Sequence, residues 1–306
     1  MIVVVAPGQG SQVPGFLAPW LELDSVAETL AGFSEASGVD LVAAGTTWDA
    51  DQIRDTAVAQ PLIVAASIVS YRALIARAGR TPDGIAGHSV GEIAALAAAG
   101  VLSDGDAMRL VGIRGRAMAE AAAAEETGMS AVIGGDEAEV LAAIEAAGLT
   151  PANHNGGGQI VAAGALGALA DFAAEPPKGT RVIPLKVAGA FHTRYMRPAV
   201  ETLETEARTM AVSDPSITLW TNRDGSTVGT GAAALELLVG QVANPVRWDL
   251  CQAAFAEAGV TGIIELCPGG TLVGLAKRSL RGVPAVAIST PEDLDAAVAI
   301  LTGAGE

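Results

Sequence analysis

Gly87-His88-Ser89-Val90-Gly91 limits the folds open to this chain more than any other stretch. The short apolar run Gly84-Ile85-Ala86 leads into it, and the alanine-rich segment Glu92-Ile93-Ala94-Ala95-Leu96 leads out. A strand, a tight turn and a helix in direct succession are the setting of a nucleophile elbow. Glycine two residues either side of the serine admits a turn too sharp for a β carbon. The turn lifts the hydroxyl above a sheet edge and sets it at a helix N-terminus, where backbone N–H groups and the helix dipole favour developing negative charge. Five such residues also occur in ordinary turns; the strand before and the helix after distinguish this one.

The remaining pattern fits that setting. Ile2–Ala6 reads as a buried strand, followed by the loop Gly8-Gln9-Gly10-Ser11-Gln12, which matches neither GxxxxGK[ST] nor GxGxxG. Helical patterns cover 24–45, 61–79, 91–99 and 104–123, the second opened by Gln60-Pro61. Alternation with strands predicts an α/β fold, a parallel sheet covered by helices. Near Glu125 the pattern changes. Strands at 129–133, 159–163 and 181–187, with helices at 136–147 and 165–174, predict a small βαββαβ unit inserted into the larger one. The expected division is therefore 1–124 with 188–306, interrupted by 125–187.

Composition narrows the function classes. Half of the residues are hydrophobic but only 4% aromatic, so Ala, Val, Leu and Ile build the core. A net charge of −16 argues against nucleic-acid binding, which needs a basic surface. No apolar run approaches the ~18–20 residues of a membrane span, so no membrane association is expected. Met1–Ala6 lacks a basic flank and reads as a first strand rather than a signal peptide. Cys251, Cys267 and three scattered histidines carry no metal-ligand spacing. A reducing cytoplasm fits, a single bridge between the two cysteines being the alternative.

A serine nucleophile needs a base. His88 is adjacent to Ser89, and consecutive side chains diverge at such a turn. His154 lies in Pro151-Ala152-Asn153-His154-Asn155-Gly156, which reads as a solvated loop. His192 follows a strand and a loop, where parallel sheets display functional groups, and is the expected base. Asp171, Asp214 and Asp224 are the acids in plausible loops, but none has a distinctive setting. A backbone carbonyl can orient the imidazole equally well. Arg114 has Leu110, Val111 and Met118 as helical neighbours and so points inward. A buried arginine calls for a carboxylate, from the protein or from a ligand.

Taken together, these motifs resemble the malonyl-CoA:acyl carrier protein transacylases and the acyltransferase domains of polyketide synthases. The resemblance runs through the whole chain in order. It takes in the glycine loop, Gln60-Pro61, Gly87–Glu92, Arg114–Met118, Asn153-His154-Asn155 with Gln159, Gly189–His192, Asn244–Trp248, and Glu265 with Pro268-Gly269. It departs at Cys267, at Gly156-Gly157 and at Thr193. The family implies an α/β-hydrolase-like large domain with an inserted ferredoxin-like subdomain. It also implies Ser89 as nucleophile, His192 as base, and the backbone N–H groups of Gln9 and Val90 as oxyanion hole. Gln241 would orient His192 through its main-chain carbonyl. Arg114 would hold the malonyl carboxylate, while Gln60, Met118 and Asn155 line the pocket and Phe191 favours malonyl over methylmalonyl.

The implied reaction takes malonyl from malonyl-CoA to a phosphopantetheinylated acyl carrier protein through a malonyl-serine, without cofactor or metal, in a monomer. Arg181, Lys186, Arg194, Arg197, Lys277, Arg278 and Arg281 are the candidate docking patch for the carrier. A serine hydrolase with a complete triad, or a non-catalytic acyl-CoA binder, would share the elbow without needing Arg114.

Overall fold

Each strand of the central sheet divides its side chains between two apolar layers, and that division sets the architecture. Val4, Ala6, Ile85 and Ile264 face the larger core, while Val3, Val5, Ala86 and Ile263 face a smaller one on the other side. The computed structural model describes residues 1–303. In chain order they form β1 (Ile2–Ala6), α1 (Val26–Ser37), α2 (Leu41–Thr46), α3 (Thr56–Ala78), β2 (Gly84–Gly87), α4 (Gly91–Ala98) and α5 (Asp104–Ala123). Next come β3 (Thr127–Gly134), α6 (Glu137–Ala146), β4 (Thr150–Gly156), β5 (Gln159–Ala165), α7 (Leu166–Ala174) and β6 (Thr180–Pro184). The chain continues through α8 (Arg197–Ala207), β7 (Thr218–Leu219), α9 (Gly231–Gln241), β8 (Val246–Arg247) and α10 (Trp248–Glu257). β9 (Gly262–Glu265), α11 (Thr271–Ser279), β10 (Ala285–Ala287) and α12 (Leu294–Thr302) complete it.

The first sheet is parallel, in the order β10-β9-β1-β2-β7, with Val4 paired to Ile85 on one side and Ile264 on the other. The second has the order β6-β3-β5-β4-β8, antiparallel except for the β4–β8 pair. Its strands β3 to β6 with α6 and α7 enclose Val132, Val140, Ile144, Ile160, Leu169 and Phe172. The overall class is the α/β arrangement that the sequence predicts.

Several local expectations differ. β4 occupies the stretch read as a loop around His154, because cross-strand pairing with β5 outweighs the turn character of Pro151, Asn153 and Asn155. β8 joins the second sheet from outside 125–187, with Asn153 opposite Val246. α3 begins at Thr56, where Asp55 caps it by accepting the Ala57 N–H, so Pro61 lies inside the helix rather than at its start. The pattern over 24–45 is two helices, α1 ending at Gly38 with φ of 76°. α3 is also 23 residues long and contains an 18-residue window of mean hydropathy 1.6, enough by length and composition to cross a membrane, contrary to the sequence expectation; 78% of that window is buried inside the protein. Both cysteines are free and buried, so the bridge considered from sequence is not formed.

Candidate active site

The catalytic serine candidate is held in a backbone conformation that L-residues rarely adopt. Ser89 has φ of 53° between the end of β2 and the start of α4. A β carbon on Gly87 would lie 2.0 Å from the carbonyl carbon of Gly91, and one on Gly91 would lie 2.3 Å from the Ala6 oxygen. Both glycines are thus sterically required. Asn222, in the loop after β7, stitches the two arms of the turn together. The Ser89 N–H donates to its Oδ1 at 2.8 Å, and its Nδ2 donates to the Gly87 carbonyl at 2.7 Å.

Ser89 Oγ lies 2.6 Å from His192 Nε2. His192 Nδ1 donates to the main-chain oxygen of Gln241 at 2.9 Å, which leaves Nε2 as the acceptor. His192 too has a positive φ, 60°. The loop before it is pinned by Thr127 Oγ1, which accepts the Ala190 N–H, and by Thr193 Oγ1, which donates to the Ala190 oxygen at 2.6 Å. Burial, then the nearby Arg114 charge, push the His192 pKa down to about 3, so the ring is neutral at ordinary pH. The acids considered from sequence lie elsewhere: Asp171 is exposed on α7, Asp214 caps the Gly231 N–H, and Asp224 holds Ser226.

Arg114, on α5, is 1% exposed. Its Nη1 donates to Gln60 Oε1 at 2.6 Å and its Nη2 to Gln241 Oε1 at 3.0 Å, while Nε has no partner among the described residues. Burial pushes its pKa down to about 10, which leaves the guanidinium charged at neutral pH. Gln241 also donates through Nε2 to the Ser89 oxygen at 2.9 Å and to Glu92 Oε2. Glu92 Oε1 accepts the Asn222 N–H at 2.6 Å.

Ser89, His192 and Arg114 share one cavity of about 90 Å³ with Gln9, Val90, Gln60, Met118 and Phe191. Asn155 was expected in its wall, but Asn153, two residues earlier on β4, takes that place. Asn155 instead bonds His88 Nε2 at 2.9 Å through Oδ1 and accepts the Gln252 side chain on its carbonyl. His88 packs edge-on to Trp248 and does not reach the Ser89 hydroxyl's partner position, which His192 holds. Sequence reasoning missed Asn222 and gave no role to Glu92 and Asn153, although both lie in the motifs of the resemblance. Glu92 carried a signal, being an acid in the first turn of a helix otherwise apolar. Asn222 carried none, since it lies 133 residues from Ser89.

Residues 3–301 match the family described as acyl transferase domain. The malonyl CoA-acyl carrier protein transacylase of Mycobacterium tuberculosis is 53% identical over 298 residues, covering 96% of this chain and 98% of that protein. A crystal structure from the same organism superposes with a TM-score of 0.94 at 52% identity, over 97% of this chain and 99% of that one. A malonyl-transacylase solved in complex with its type II PKS acyl-carrier protein superposes with a TM-score of 0.90 at 33% identity, over 99% of each chain.

Proposed function

The chain belongs to the acyl transferase domain family, among its malonyl CoA-acyl carrier protein transacylases, and from that premise we propose how its own residues move a malonyl group from coenzyme A to a carrier-protein thiol. The observation that carries this reading is Arg114: a buried cation at the same small cavity as Ser89, with only neutral amides as side-chain partners among the described residues. It is a charge kept for a carboxylate that the substrate brings. A cavity of about 90 Å³ suits a short acyl unit and is far below the ~300 Å³ at which drug-sized ligand pockets begin.

His192 Nε2 takes the Ser89 proton as Oγ attacks the thioester carbon. The N–H groups of Gln9 and Val90 are assigned to the oxyanion, Val90 as the residue that precedes the first turn of α4. Collapse of the tetrahedral adduct expels the coenzyme A thiolate, protonated by His192, and leaves malonyl-Ser89. The phosphopantetheine thiol of the carrier then gives its proton to His192 and attacks the ester, and Ser89 departs with that proton. Arg114 fixes the acyl group between the two steps, and Phe191 crowds the position of an α-branch. Carrier docking is assigned to the exposed Arg181, Lys186, Arg194, Arg197, Lys277, Arg278 and Arg281. Lys186 lies between Leu185 and Val187, which line the cavity. The enzyme is taken to act as a cytoplasmic monomer, without nucleic acid or membrane, the net charge of −16 supporting the exclusion of nucleic acid.

Intact mass spectrometry after brief exposure to malonyl-CoA tests the covalent step. A malonyl adduct is expected on the wild type and none on Ser89→Ala; an adduct on both, or on neither, sinks the mechanism.

A further inference from the structure

Gln241 stands between two buried charges of opposite sign, and only one of its two amide orientations fits both. Oε1 accepts from Arg114 Nη2, and Nε2 donates to Glu92 Oε2. The ends of an amide are alike in shape and opposite in hydrogen-bond sense. A flipped Gln241 would set N–H against the guanidinium and oxygen against the carboxylate. Glu92 is 4% exposed, and both of its oxygens act as acceptors, one for Gln241 and one for the Asn222 N–H. That pattern suits a carboxylate, which accepts on both oxygens; an amide would have to turn its NH₂ toward one of the two N–H groups.

We infer that Glu92 is a positioning residue for recognition of a carboxylate-bearing acyl group: it fixes the Gln241 amide so that its oxygen orients Arg114, while the amide keeps Glu92 from pairing with that arginine directly. The inference rests on the transfer mechanism above. Gln60 offers a contrast on the other side of the guanidinium. Its Oε1 accepts from Nη1, but among the described residues its Nε2 meets only the Met118 sulfur at 3.4 Å, and no charge there holds that amide in place. The sense of the Arg114 cradle is therefore set from the Gln241 side, where Glu92 Oε2 and the Ser89 main-chain oxygen both accept from Nε2. The same carboxylate, through Asn222, is tied to the Ser89 N–H, so the acid-recognition and nucleophile ends of the cavity share one buried unit.

Burial pushes the Glu92 pKa up to about 7, against its hydrogen bonds with Asn222 and Gln241 and the Arg114 charge. The ionisable groups facing it are Arg114 on α5, at about 10, and Cys251 on α10, whose thiol burial pushes well above its ordinary range. Neither titrates near 7. Protonation of Glu92 therefore loosens the amide and weakens malonyl recognition as pH falls through about 7.

The test compares loading of Ser89 by malonyl-CoA and by acetyl-CoA, which lacks the carboxylate. In Glu92→Gln the malonyl-to-acetyl ratio of kcat/KM should fall about tenfold, chiefly through the malonyl-CoA KM. Glu92→Asp, which keeps the charge, should recover part of the ratio. Equal losses on both substrates, or an Asp variant no better than the Gln variant, overturn the inference. Should neither variant fold, the wild type itself decides. Its ratio must drop on the acid side of pH 7, and a ratio constant across that pH refutes the assignment. A wild type that loads acetyl but never malonyl overturns the transfer mechanism, and this inference with it.

Discussion

Two arginines of this protein meet carboxylates in opposite ways. Arg247 donates from Nε at 2.9 Å and Nη2 at 2.6 Å to the two oxygens of Asp249, in a partly exposed bidentate pair. Hydrogen bonding to Asp249 raises its pKa, and Glu137 and His154 complete the cluster around that carboxylate. Arg114 lies near a carboxylate as well, but Gln241 stands between it and Glu92. The first arginine is neutralised within the protein and stabilises local structure. The second stays charged and buried, with neutral amides rather than a carboxylate accepting its hydrogen bonds, at the cost of burial that lowers its pKa. A site for an anionic substrate needs the second arrangement, since an arginine already paired to a protein carboxylate has little attraction left to offer.

Four experiments break or sharpen that contrast. Arg114→Ala removes the uncommitted charge. Malonyl loading should fall by on the order of 10²–10³-fold, while acetyl loading gains in relative terms. Steady-state kinetics with both thioesters reads this, and an unchanged malonyl preference would favour the serine-hydrolase alternative. Gln241→Glu keeps the main-chain oxygen that orients His192 but turns Arg114 into a second Arg247. Malonyl KM should rise about tenfold or more, with acetyl loading less affected. Arg247→Ala deletes the neutralised arginine. Its partly exposed pair predicts a loss below about 1 kcal/mol in denaturant unfolding and an unchanged malonyl-to-acetyl ratio. The smallest effect concerns pH. With His192 pushed down to about 3, the ring stays neutral as pH falls through the ordinary histidine range near 6.5. Acetyl loading should therefore show no acid limb there; a loss of half the rate near pH 6.5 would contradict the assignment.

The elbow was legible because its causes are local. Gly87 and Gly91 flank Ser89 in sequence, and the steric demand that selects them acts over the same few residues. Arg114 was legible for a similar reason, since helical spacing turned it inward among Leu110, Val111 and Met118. β4 was hidden, because its strand character comes from β5 and β8 rather than from its own residues. Pro61 misled, because a capped turn from Asp55 starts the helix earlier.

By itself, the chain points to where a serine can be presented, to the histidine expected to serve it, and to an inward arginine that calls for a carboxylate. Nearest-neighbour sterics and helical periodicity suffice for those. Only the tertiary structure decides what Arg114 faces. Gln60, Glu92, Asn222 and Gln241 come from four separate stretches, and their hydrogen-bond sense exists only once burial removes water as an alternative partner. That is why the sequence could say the arginine needs a carboxylate, and only the folded protein could show that its own carboxylate is held one amide away.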